Sequence, residues 1–355
     1  MSDRCYLNAR LGAMRGLLLA RSDYDRLLAA PDLRGISLAL RETPYGSHLD
    51  STGRQASEIA GMEEALRRNF QETLSRLLSI SGVDCREAVR ILLGSLELQV
   101  VKTVLRGKAA GLPPEEILAS LVPTGIHGEA ELRELCRQPN VRAVADLLAT
   151  WRDPWGEPLS RAMKGYRDSR DLYLLEAALD RFRAGEAERG LRAIRPFGED
   201  REDALPLFHS LSVDRANLMT ALKAVAEEIP LRDPETYFLP GGRIYTARDF
   251  ANLLASKSVG EALSLSARSL FAVALRPFSS VSGGILHLAD VERELERVLL
   301  RAMRAQMRRD PLGWGPLASY LLNKTREIRN LRTICYGKRA GLPEIERKDL
   351  LILEY

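Results

Sequence analysis

Apolar residues recur along this chain with a period near 3.6, and the strict alternation that makes strands is scarce. Phe70, Leu74, Leu77 and Leu78 fall on one helical face, as do Leu175, Leu179 and Phe182, and then Leu295, Leu299, Ala302 and Met303. Such spacing marks helices that bury one side and expose the other. Tyr6 to Leu19 reads as an additional N-terminal helix with Leu7, Leu11, Met14 and Leu18 as its stripe. The pattern breaks where Gly and Pro cluster, at Pro44 to Gly46, Gly111 to Pro114, Pro154 to Pro158, Pro240 to Gly242, Gly283 to Gly284 and Pro311 to Pro316. These breaks divide the chain into roughly a dozen helices and predict an all-α fold.

The chain also resembles itself. Glu97 to Pro113 reads ELQVVKTVLRGKAAGLP and Glu327 to Pro343 reads EIRNLRTICYGKRAGLP, identical at eight of seventeen positions. A third copy begins at Asp214 as DRANLMTALKA, so the acid recurs at steps of 117 and 113 residues. Asn217 and Asn330 share a place that Val100 occupies in the first copy. E-x-x-L-x-R gives the same period independently: Glu63 with Arg68, Glu176 with Arg181 and Glu292 with Arg297 recur at steps of 113 and 116. A weaker echo, Leu27-Leu28-Ala29, Leu147-Leu148-Ala149 and Leu253-Leu254-Ala255, precedes these at steps of 120 and 106. The expected organisation is three pseudo-repeated helical units, residues 1–121 with the extra helix, 122–240 and 241–355, each leaning on the next to bury its apolar faces.

Composition narrows the class further. The chain has 355 residues, 45% of them apolar, and 52 Lys and Arg against 48 Asp and Glu leave a net charge of only +4. That balance argues against disorder and against a polybasic nucleic-acid tail. No apolar run is long enough to cross a bilayer, and Arg4, Arg10 and Arg15 interrupt the N-terminus where a signal peptide would be continuous. The expectation is an unsecreted protein on the cytoplasmic side. Cys5, Cys85, Cys136 and Cys335 are far apart, as are His48, His127, His209 and His287, which favours isolated thiols over a metal site or a disulfide scaffold.

Candidate chemistry is sparse. Gly107-Lys108 and Gly337-Lys338 resemble the end of a phosphate-binding loop, but Lys102 and Arg332 stand where its first glycine belongs, and Ala109 and Arg339 where its hydroxyl belongs. Helix termination explains both better. Gly241-Gly242 reads as a connector, because no base and nucleophile accompany it. No catalytic residue, cofactor or metal is expected. The repeated charges could surround a central ligand; the favoured reading pairs Arg68, Arg181 and Arg297 with Glu97, Asp214 and Glu327 of the following helix, where a planar guanidinium suits a carboxylate. Arg297, Arg301, Arg304 and Arg308 form a basic stripe open to an acidic partner, lipid headgroups or nucleic acid, although aromatic residues do not interleave with it.

Several motifs in order give the chain a strong resemblance to the C subunits of the archaeal and bacterial V/A-type rotary ATPases, the counterparts of the d subunit in the eukaryotic vacuolar enzyme. They are Y-L-N-A-R at 6–10, E-A-V-R-I-L-L at 87–93, V-D-R-A-N-L at 213–218, F-L-P-G-G-R at 238–243, D-P-L-G at 310–313 and Y-G-K-R-A-G-L-P at 336–343. The resemblance implies a helical funnel or socket that sits peripherally on the proteolipid rotor ring, receives the D and F subunits of the central stalk, and transmits torque for ATP-coupled ion transport without an active site. Lys108, Lys338, Arg339 and the arginine stripe are the contact candidates. The alternative is a helical-repeat scaffold in another complex; a nucleic-acid binder is suggested only by a pI near 8.9.

Overall fold

A computed structural model describes residues 3–51, 58–121, 127–169, 171–194, 203–229, 231, 233–266, 271–279 and 287–353, all of whose regular elements are helices. The chain divides into two compact units, residues 1–144 with 316–355, and residues 145–315. The first holds α1 (Asp3–Arg15), α2 (Arg21–Ala29), α3 (Leu33–Arg41), α4 (Gly46–Ser51), α5 (Ile59–Ile80), α6 (Val83–Ala109), α7 (Pro114–Ser120) and α8 (Glu129–Arg137). The division falls within α9 (Val141–Thr150). The second unit continues through α10 (Gly156–Ser169), α11 (Leu172–Ala193), α12 (Ala204–Ala226), α13 (Pro234–Tyr237), α14 (Ala247–Leu254), α15 (Val259–Ser266), α16 (Ala272–Ser279) and α17 (Leu288–Arg309). The chain then returns to the first unit with α18 (Gly315–Arg339) and α19 (Glu344–Asp349).

The predicted stripes form the cores. Phe70, Leu74 and Leu77 of α5 are buried, whereas Leu78 at the stripe's edge is exposed. Leu175 and Leu179 of α11 and Leu295, Leu299 and Met303 of α17 are likewise buried, and α11, α14, α15 and α17 all pack on α12. The N-terminal helix is shorter than its stripe suggested. It stops at Arg15, Leu18 is only half-buried, and Leu19 turns inward instead. The predicted break at Gly283-Gly284 lies outside the described residues.

The two G-K-x-A-G-L-P segments end helices, as expected. The Leu112 amide donates to the Gly107 carbonyl at 2.9 Å and the Leu342 amide to Gly337 at 2.9 Å, with Gly111 and Gly341 at φ of +70° and +75°. This is the six-to-one bond of a left-handed helix terminus. Ile229 and Ala224 repeat it after α12 at 2.9 Å, but there Glu228 holds the left-handed position, at φ of +52°. A side chain with a Cβ is strained in that conformation by about 1–2 kcal/mol. Glu228→Gly is therefore expected to raise stability by up to about 1 kcal/mol in denaturant melts, glycine's extra unfolded-state entropy offsetting part of the relief.

Candidate functional site

Three helices begin with a carboxylate folded back onto the residue before them. The Ala20 amide donates to Asp23 at 2.8 Å, Gly128 to Glu131 at 2.7 Å and Thr246 to Asp249 at 2.9 Å, at the starts of α2, α8 and α14. Only Thr246 has a side-chain oxygen to complete the reciprocal bond to the third residue of its helix. These starts are 108 and 118 residues apart. They correct the L-L-A echo: Leu27–Ala29 and Leu253–Ala255 lie at the ends of α2 and α14, but Leu147–Ala149 lies in α9, one helix beyond α8.

Immediately before each start, the chain meets a buried acid. Asp214 accepts the amides of Arg243 at 2.9 Å, Ile244 at 3.1 Å and Tyr245 at 3.2 Å. Glu97 takes Nδ1 of His127. Glu327 accepts the Leu19 amide at 2.6 Å, the Tyr45 hydroxyl at 2.6 Å and Lys324 Nζ at 2.7 Å. The three acids are 1%, 0% and 3% exposed for Glu97, Asp214 and Glu327, so each must find its partners inside the protein. Burial pushes the Asp214 carboxyl above its ordinary value, although three amide bonds pull it back in part. Burial, with Glu327 alongside, holds the Tyr45 phenol far above its own ordinary value, and Lys324 lies over its ring at 4.7 Å.

The expected arginine partners of these acids are elsewhere. Arg68 pairs with Glu64 and Ser51, and Arg181 donates to the carbonyls of Glu235, Thr236 and Phe238 at 2.6, 3.0 and 3.1 Å. Arg297 pairs with Glu294 on its own helix. The physical reason is proximity: the chain leaving the helices of Glu97 and Asp214 brings His127 and backbone amides within reach, while Glu327 is already met by the Leu19 amide, the Tyr45 hydroxyl and Lys324 of its own helix. The companion acids also differ among themselves. Glu63 takes Arg332 of α18 at 2.7 Å, Glu292 faces Arg215 of α12 at 3.8 Å, and Glu176 is half-buried on α11.

Asn217 and Asn330 act alike. Each amide side chain makes two bonds to one backbone residue 22 positions later, Asn217 with Leu239 at 2.9 and 2.8 Å and Asn330 with Ile352 at 2.8 and 3.2 Å. Val100 has no such groups, and residue 122, the corresponding position, lies outside the described residues. Sequence reasoning missed His127, which follows Glu97 by 30 residues as Ile244 follows Asp214, and it missed Tyr45, Lys324 and Arg347. The 30-residue offset was a usable signal for His127; the contacts of Tyr45 and Lys324 had none.

Other titratable groups offer little for chemistry. Burial pushes the Cys136 thiol to about 11 and the Cys335 thiol to about 12, so both stay protonated. His209 is buried with Nε2 unpartnered beside Gly241, and desolvation, with Arg183 nearby, lowers its pKa below 6.5. Because the folded value is depressed, the unfolded chain takes up this proton first on acidification. Stability should fall as pH drops through the ordinary histidine range, and His209→Gln should flatten the slope of melting temperature against pH there.

Toward solvent, α17 buries Val291, Leu295, Leu299 and Met303 and carries Arg301 and Arg308 exposed and Arg304 half-buried. Lys108 and Lys338 are half-buried and Arg339 exposed at the helix ends described above. No helix among the described residues is long and apolar enough to cross a membrane.

Residues 7–349 match the family described as ATP synthase (C/AC39) subunit. The chain is 30% identical to the C subunit of the V-type ATP synthase of Thermus thermophilus over 352 residues, which covers 99% of this chain and 98% of that one. It is 29% identical to the C subunit of the A-type ATP synthase of Methanothermobacter thermautotrophicus, covering 98% of this chain and 87% of the relative. With the corresponding A-type protein of Halorubrum lacusprofundi it shares 27% identity, covering 98% and 97%.

Proposed function

Since the chain belongs to the ATP synthase (C/AC39) subunit family, we propose that it is the non-catalytic central rotor component of a V/A-type rotary ATPase. In this reading it joins the D and F subunits of the central stalk to the proteolipid ring on the cytoplasmic face of the membrane and passes torque between them. The observation that carries the proposal is the correspondence along almost the whole chain to proteins named as the C subunits of V-type and A-type ATP synthases. A mechanical part needs rigidity more than reactive groups. Glu97 and Asp214 supply it by tying helix to following chain, and the recurrence of the buried acid at Glu327 supports an organisation into units 1–121, 122–240 and 241–355.

Contacts are assigned separately in each unit: to the polar side of α17 in the second, and to Lys108, Lys338 and Arg339 in the first. Charges on a rim steer and register docking, while apolar anchors supply most of the affinity. Tagged protein incubated with detergent-solubilised membranes is expected to recover the stalk proteins and the ring, identified by mass spectrometry, with ATPase activity in the eluate. Recovery of neither stalk nor ring would remove the proposal in favour of a scaffold in another complex. Charge reversal at Arg304 and Arg308 should leave the melting temperature within a degree or two and weaken that recovery several-fold, more at low salt than at high.

A further inference from the structure

The Glu327 cluster differs from the other two in how its partners arrive. Glu97 and Asp214 are met by chain about thirty residues downstream, so covalent continuity keeps donor and acceptor close. Glu327 is met by Leu19 and Tyr45, 308 and 282 residues away, and only non-covalent contacts hold α1–α4 against α18. A second tie lies beside it: Arg347 of α19 donates from Nη2 to the Leu28 carbonyl at 3.0 Å, at the C-terminal end of α2. Both ties bury charge. Lys324 and Glu327 are 4% and 3% exposed, and Arg347 is 2% exposed with Nε and Nη1 lacking any acceptor.

Burying an ion pair costs much of what the pairing returns, and a buried guanidinium with unfilled donors costs more. Separation of α1–α4 from α18 and α19 would return all three charges to water and recover that desolvation. The Asp214 cluster has less to recover, one buried carboxylate against three charges, and it is closed by neutral amides of its own neighbouring chain. We infer that α1–α4 form a clasp that opens at the Glu327 and Arg347 contacts, parting α1 from α6 and α4 from α5 as well as from α18 and α19, while the remaining helices stay folded. It is a conformational device of the first unit: its open state frees the N-terminal segment and uncovers a charged face of α18.

Hydrogen exchange of the full chain, followed by mass spectrometry across sub-denaturing urea, tests this. The amides of α1–α4 and α19 are expected to exchange through a shared opening with a shallower urea dependence than those of α5, α6 and α12. Glu327→Gln should speed exchange in α1–α4 and α19 by about tenfold or more. Asp214→Asn, whose contacts stay intact when the clasp opens, should leave α1–α4 unchanged while speeding α12. The inference is overturned if α1–α4 respond to Asp214→Asn as they do to Glu327→Gln, or if they exchange with the free energy and urea slope of α12 in the unsubstituted protein. Should either variant fail to fold, the urea dependence of the unsubstituted chain still decides.

Discussion

Replacing Glu327 with alanine is expected to lower the stability of the protein by about 3–5 kcal/mol, the usual cost of removing one partner of a buried ion pair. Three groups lose their acceptor at once: the Leu19 amide, the Tyr45 hydroxyl and the Lys324 ammonium. The ammonium dominates, since it is left charged at 4% exposure with only the Tyr45 oxygen at 3.0 Å. A second substitution separates the contributions. Glu327→Ala with Lys324→Met removes the stranded charge and leaves the Leu19 amide and Tyr45 hydroxyl as unmet as in the single variant, so it should recover more than half of the loss measured for Glu327→Ala. Urea melts of the single and double variants check both values; equal stability of the two variants would mean that the amide and hydroxyl contacts, and not the charge, carry the effect.

The loop before α14 should be nearly as intolerant. Asp214 gathers three consecutive amides, and an asparagine in its place turns one acceptor into a donor aimed at other donors. Leaving a buried donor unmet costs about 1–3 kcal/mol, so Asp214→Asn is expected to lose about 3 kcal/mol. Gly242 makes the complementary prediction. A Cβ there would lie 2.2 Å from Asp214 Oδ1 and 2.9 Å from its Cγ, and the carboxylate cannot retreat without dropping its amides. Gly242→Ala should therefore cost about 2–3 kcal/mol, and the double variant less than the sum of the two, because both break the same contact. Strict additivity in thermal or urea melts would contradict the shared contact. Acidification should not unfold the protein through this group, since a carboxyl whose folded pKa is raised binds its proton first in the folded state and gains relative stability as pH falls through that value.

Helix content and the buried stripes were legible because a 3.6-residue period is a local property, visible in Phe70, Leu74 and Leu77 without knowledge of any partner. The ends of α6 and α18 were legible for the same reason, since G-L-P encodes its own turn. The repeat located the three acids and the two asparagines, but not what they touch. Arginine looked like the natural partner for Asp214 because charge is visible in a sequence and backbone amides are not: the donors at Arg243, Ile244 and Tyr245 belong to the main chain and leave no residue-type signal. The Tyr45 and Lys324 contacts with Glu327 were hidden for another reason. Two of the three partners of Glu327 come from the far end of the chain, at separations no local pattern spans. The contact candidates on α17 and at Lys108, Lys338 and Arg339 were chosen by charge; Arg301, Arg308 and Arg339 are exposed, and Arg304, Lys108 and Lys338 half-buried.

A chain that couples rotation and performs no chemistry itself should be dispensable for ATP hydrolysis and indispensable for ion transport. The most direct measurement is ATP-driven ion uptake into vesicles holding the proteolipid ring and stator, to which the soluble catalytic head with its D and F subunits is added with and without the purified chain. The head is expected to hydrolyse ATP either way, and ions to accumulate only when the chain is present. Full ion uptake in its absence would contradict the coupling role.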